Sequence, residues 1–164
     1  MLYQLVVFLH VIAVLGYLLA HGVSASVSYV IKKERDTNRI RTLLDLSAAS
    51  YPAMLWTLLA VIVFGLAAAF LNMTWWRFGW IWVSLLILIV IVMLMAVFGA
   101  TAFGEIRKAA GLPYRVKGKP FPAESAKSNE EVYAATAKVN PTLLLVIGYG
   151  GFAVIAWLMI AKPF

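Results

Sequence analysis

His10 and His21 are the only histidines in the chain, and both lie in one long apolar run with Tyr17 between them and Ser24 and Ser28 beyond. At about 100° per residue, a helix carrying them returns to within about 20° of its starting direction from His10 to His21. Tyr17 falls about 20° to the other side, Ser24 about 40° away and Ser28 almost in line with His10. These residues therefore form one polar stripe on an otherwise apolar segment. Imidazole on such a stripe has two kinds of chemistry open to it. It can hydrogen-bond a neighbouring helix, as buried polar side chains in membrane spans do. It can also ligate, since neutral imidazole is the common axial ligand of haem iron, and an ionisable residue inside a span is a functional candidate by default.

For ligation, His10 and His21 are the cofactor and metal candidates, with Tyr17 beside them. A rise of 1.5 Å per residue puts the imidazoles about 16 Å apart along the axis, one towards each leaflet, which would suit a pair of stacked b-type haems. At that distance they cannot share one copper ion. A bis-histidine haem site would need a second protomer or another subunit, because the chain has no third histidine. Met54, Met93, Met95 or Met159 could supply a thioether, although a methionine in an apolar span is more often core filler. A second stripe, Gly16, Ala20, Ser24 and Ser28, repeats small residues at four-residue spacing. It marks the helix-packing face, because small side chains let another helix approach closely.

The elements that carry these residues follow from composition. The chain has 164 residues, 63% of them hydrophobic, with a mean hydropathy of +0.91. Soluble domains sit near about 45–50% apolar, so this is an integral membrane protein. Four apolar stretches, residues 3–30, 52–71, 79–103 and 141–161, are each long enough to span as a helix. The expected fold is all-α, a four-helix transmembrane bundle in a single domain. The first stretch lacks a basic leading region and is too long for a cleavable signal peptide. With no cysteine, disulfides, thiolate catalysis and cysteine-ligated metals are excluded within the chain. There is no P-loop, GxGxxG or HExxH motif, and no catalytic residue is assigned. No span carries an acidic residue to couple protons or cations, which disfavours transport.

Twelve of the fourteen Lys and Arg residues lie in residues 31–51 and 104–140, leaving only Arg77 and Lys162 on the opposite side. The net charge of +7 is thus a positive-inside pattern rather than a nucleic-acid footprint. It places both charged segments in the cytoplasm and both termini outside. Trp75, Trp76, Trp80 and Trp82 gather at the short outer connection as an interfacial belt. Residues 36–49, with Ile40, Leu43, Leu44 and Ser47 at helical spacing, read as a short amphipathic cytoplasmic helix after span one, lying on the interface or extending that span. In the second segment Gly111, Pro113, Gly118, Pro120 and Pro122 read as loop. Ser128 and Glu131 then form a capping-box pattern opening a short helix to about residue 139.

The opening "FLHVIAVLGYLL" and the ending "NPTLLLVIGYGGFAVIAWLMIAKPF" resemble small four-span bacterial membrane proteins of the copper-resistance-D-like group, over roughly the two outer spans. More distantly the chain is similar to HemJ-type protoporphyrinogen oxidase, a four-span haem-containing family. The resemblance implies a multi-pass protein of the bacterial inner membrane and a haem-linked redox role. The residue that carries over is His10. Where the oxidase family has an aromatic and Pro-Arg-rich run after its first-span histidine, this chain has "GVSASVSYVIKKERD". A homo-oligomer or a place in a larger membrane complex would supply the missing ligand. The alternative is a non-catalytic accessory subunit or scaffold, whose stripe only packs. The orientation is directly testable. Single cysteines placed at Arg77 and Ala123 should label from opposite sides of intact cells, position 77 from outside. Labelling of 123 but not 77 from outside would reverse the topology.

Overall fold

In the computed structural model, which describes residues 1–164, helical hydrogen bonding accounts for nearly all of the apolar sequence. In lipid the backbone has no other partner available. Helix α1 spans Leu2–Ile31 and α2 spans Thr37–Leu71. A short 3₁₀ turn, Met73–Arg77, leads into α3, Gly79–Ala109. A β-hairpin follows, β1 Tyr114–Val116 antiparallel to β2 Lys119–Phe121. Helix α4 covers Asn129–Ala137 and α5 covers Pro141–Ala161. The four helices α1, α2, α3 and α5 are long and apolar enough to cross a membrane.

Two boundaries differ from the sequence reading. The amphipathic segment is no separate helix after span one and does not extend it. The chain turns at Lys32–Asp36, and residues 37–51 are the first turns of α2, continuous with its span through Pro52. Asp36 caps this start, its carboxylate accepting from Asn38 N–H at 2.9 Å. Its apolar stripe turns inward, burying Ile40, Leu44 and Ser47. In the turn, Glu34 accepts the N–H groups of Asp36 and Arg35, and these bonds, with Asp36 first, hold its carboxyl below the usual range. The third span runs on to Ala109, beyond residue 103. The capping box forms as expected, Ser128 and Glu131 bonding reciprocally at 3.3 Å.

The charged end holds the largest buried cluster. Val27 and Ile31 of α1, Ile40 and Leu44 of α2, Ile106 of α3, Val132 of α4, and Val139 and Leu144 pack together. The most completely enclosed large side chains of the molecule are all here. Three cations lace this end by donating to backbone carbonyls: Lys32 to Val139 at 2.9 Å and Arg41 to Ala110 at 2.9 Å, both just past helix ends, and Arg107 to Leu44 within α2 at 3.0 Å. Arg107 also reaches Pro113 O at 2.6 Å and Asp45 at 3.1 Å.

The opposite end is an aromatic clasp that brings both termini together. Trp75 donates to the Tyr3 hydroxyl at 3.1 Å and lies under the Lys162 ammonium at 4.3 Å. Trp80 N–H bonds the carbonyl of Phe164 at 3.3 Å. Between the ends, a smaller cluster of Ala13, Tyr17, Val61, Ile91 and Phe152 joins all four spans.

Removing the Arg107 side chain leaves at least two carbonyls in the cap without their cation. Arg107→Ala should lower unfolding stability in detergent by about 2 kcal/mol, the scale of a charge-assisted hydrogen bond lost from a part-buried site. Arg39→Ala, removing a surface ion pair with Glu34 whose arginine is 68% exposed, should change it by less than about 1 kcal/mol. Thermal melts of the two variants compare them directly.

Candidate functional site: the histidine stripe

Helix α1 lies along α2, and the small residues of its stripe mark the seam. A methyl at Gly16 would lie 3.0 Å from the Thr57 methyl. Ser24 and Ser47 share a hydrogen bond of 2.8 Å. Ser28, fully buried, turns back to donate to Ala25 O at 2.6 Å. Ala20 is half-buried on the same helix.

His10 sits higher on this seam, towards the aromatic end. Its Nδ1 is 2.9 Å from the carbonyl oxygen of Val61 in α2. A carbonyl can only accept, so Nδ1 carries the hydrogen and the lone pair is on Nε2. The ring rests on Gly65, whose missing side chain makes the contact possible: a methyl there would lie 3.0 Å from Cε1 and 3.2 Å from Nδ1. Nε2 has no partner in the chain, and it is not among the enclosed polar atoms.

His21 meets a different neighbour, α5. Its Nε2 faces Gly148 so closely that a methyl there would be 2.5 Å away. That nitrogen is buried with no hydrogen-bond partner, a state it shares only with the indole nitrogens of Trp76 and Trp80. Aromatic rings enclose the imidazole. Tyr17, one turn before it, stacks at 5.7 Å with planes 5° apart, and Tyr149 lies at 5.5 Å. Phe152 stacks on the far side of Tyr17 at 4.8 Å. Tyr149 is itself fixed, its hydroxyl donating to Leu18 O at 2.8 Å across Gly22. Here α5 departs from α-helical geometry: Val146–Gly150 form a π-turn. Such single-turn bulges shift side chains off the regular register and recur at functional sites.

The stripe thus divides. His10 is committed to α2, and Tyr17 and His21 to α5. No three His, Cys, Asp or Glu side chains converge at one point. The fit to a b-type haem differs between the two histidines. His21 is wedged between rings and backbone with no space for a porphyrin at its orphaned nitrogen. The open grooves at Tyr51–Arg115 and at Tyr29–Glu34 touch neither histidine. His10, half-buried, keeps an Nε2 lone pair that no group in the chain takes up, and its other nitrogen is anchored by a carbonyl, as is common for metal-ligating histidines.

Val61, Gly65, Gly148, Tyr149 and Phe152 complete these environments and were not singled out from sequence. The one signal was the glycine-rich "GYGG" of the fourth span. No family model, curated protein or solved structure matches this chain.

Gly148→Ala should destabilise the protein in detergent by about 1–3 kcal/mol, the typical range for overpacking a close contact. Gly150→Ala, in the same π-turn, meets only Val146 at an ordinary 3.8 Å. It should be neutral or slightly stabilising. Adding His21→Ala to Gly148→Ala should recover part of the loss. Melting temperatures of the three variants check the assignment.

Proposed function

We propose that this membrane protein has a redox role in the bacterial inner membrane, with His10 as an axial ligand of a b-type haem. One observation carries the reading. The His10 Nδ1 is anchored to Val61 O at 2.9 Å, which leaves Nε2 unprotonated and without a partner in the chain. A neutral imidazole held this way is pre-oriented for iron. When bound, the haem would supply one-electron transfer. This chain's residues would hold the ring of His10 in one tautomer and at one depth, about two turns from the outer interface. The sixth ligand would come from a second copy or from another subunit. A parallel two-fold dimer sets equivalent His10 residues at equal depth. The resemblance of the first span to haem-linked relatives supports the same residue.

A second function, that of an accessory subunit or scaffold, is favoured by the polar stripe being largely used inside the protomer. Ser24 bonds Ser47, Ser28 bonds Ala25 O, and His10 itself bonds Val61 O. In that case Nε2 would accept a hydrogen bond from a neighbouring subunit.

The visible spectrum of the protein purified in mild detergent from cells supplied with a haem precursor separates the two. A b-type spectrum is expected. His10→Ala should lose most of the haem per protein while inserting normally, and His21→Ala should keep it. A wild-type protein with no haem absorbance would promote the scaffold function.

A further inference from the structure

At the charged end, the β-hairpin carries Arg115, Lys117 and Lys119 beside the point where the apolar part of α2 begins. Lys117 and Gly118 form its turn, both with positive φ, 50° and 81°. This is the mirror-image turn that matches the twist of paired strands. The hairpin lies directly on α3, because Gly104 leaves room for the Arg115 carbonyl: a methyl at 104 would be 2.8 Å from that oxygen. Successive strand residues point to opposite faces. Tyr114 turns inward, stacks on Phe121 at 5.4 Å and bonds Glu124. Lys108 also takes Glu124, at 3.7 Å, so the nearby carboxylate is already engaged.

Arg115 points the other way. Its guanidinium lies 5.3 Å over the ring of Tyr51 on α2. It forms no ion pair or side-chain hydrogen bond, and neither do Lys117 and Lys119. Below it runs an open groove of about 370 Å³ lined by Tyr51, Pro52, Leu55, Trp56 and Leu59, with Arg115 at its mouth. These positions form one stripe of α2 that descends about 12 Å from the charged end into the apolar span. Trp56 is 70% exposed along it.

We propose that this groove binds one anionic glycerophospholipid, its phosphate held by Arg115 and an acyl chain laid along Leu55, Trp56 and Leu59. The charge and the apolar surface each account for one half of such a molecule. A guanidinium stacked on an aromatic face keeps its N–H edge free, and its planar fork matches phosphate oxygens. Lys117 and Lys119 add attraction to an anionic membrane surface. A free phosphate ion would leave the apolar lining unexplained, so the occupant is a lipid.

The full-length protein reconstituted into phosphatidylcholine vesicles containing phosphatidylglycerol tests this. Bromine placed on the acyl chains of one lipid or the other quenches nearby tryptophan, and the difference between wild type and Trp56→Phe isolates the signal of Trp56. Brominated phosphatidylglycerol should quench Trp56 more strongly than brominated phosphatidylcholine at equal content. Arg115→Gln should reduce that preference roughly fivefold, the factor expected for one basic residue near an anionic surface. Equal quenching by the two lipids in wild type, or an undiminished preference in Arg115→Gln, would overturn the proposal. A measurement that needs no variant is native mass spectrometry of wild-type protein released from vesicles with equal amounts of the two lipids. Phosphatidylglycerol adducts should predominate, and parity would overturn the site.

Discussion

In a lipid interior a polar side chain gains from a partner on another part of the protein, and His10 and Tyr149 find theirs at backbone carbonyls exposed by glycine. His10 donates to Val61 O beside Gly65, and Tyr149 donates to Leu18 O beside Gly22. In both cases the glycine lies four residues after the carbonyl it uncovers. That is the residue whose N–H is the carbonyl's own helical partner. A side chain at that position would cover the oxygen, and its absence lets a second donor reach it. These two bonds tie α1 to α2 on one flank and to α5 on the other.

Energetics then divide along the membrane normal. Burying an apolar side chain out of water is worth about 1.5–3 kcal/mol, but moving one from lipid to protein brings no such gain. The tightest apolar packing therefore lies at the charged end, where Ile31, Ile40, Leu44, Ile106, Val132 and Val139 are enclosed. Mid-bundle, Leu15, Leu19, Ile62, Val63, Ile89 and Val90 stay exposed to the bilayer. Contact there relies on close approach and on polar bonds. The charged end behaves as a small water-soluble core, braced by Lys32, Arg41 and Arg107 on carbonyls, and the spans hang from it.

The two histidines carry opposite consequences of the same constraint. His10 satisfies one nitrogen within the chain and leaves the other without a partner there. His21 satisfies neither through a side-chain bond. It is held by stacking on Tyr17, by the tilted ring of Tyr149 and by the space above Gly148. An enclosed nitrogen without a partner costs about 1–3 kcal/mol, and the π-turn of α5 is the local geometry that accommodates its ring.

The sequence by itself determined the four spans, the separation of charged and aromatic ends, and the capping box at Ser128. Each is a local property: hydropathy over about 20 residues, net cationic content of a segment, or a bond between neighbours in the chain. It also singled out His10, Tyr17 and His21, since a polar group in an apolar run is visible without any fold. Which helix each would meet was decided only by tertiary structure. A common face of α1 was expected, yet His10 and His21 engage α2 and α5 respectively, because helix α1 is wide enough for neighbours on two sides of one stripe. The fusion of residues 37–51 with span two was equally out of reach, since the break at Lys32–Asp36 and the continuity through Pro52 depend on where the inward stripe of Ile40 and Leu44 finds α3 and α4. The hairpin was hidden for the same reason. Its three-residue strands are too short to show alternation, and the contact of Arg115 with Tyr51 brings together residues distant in sequence.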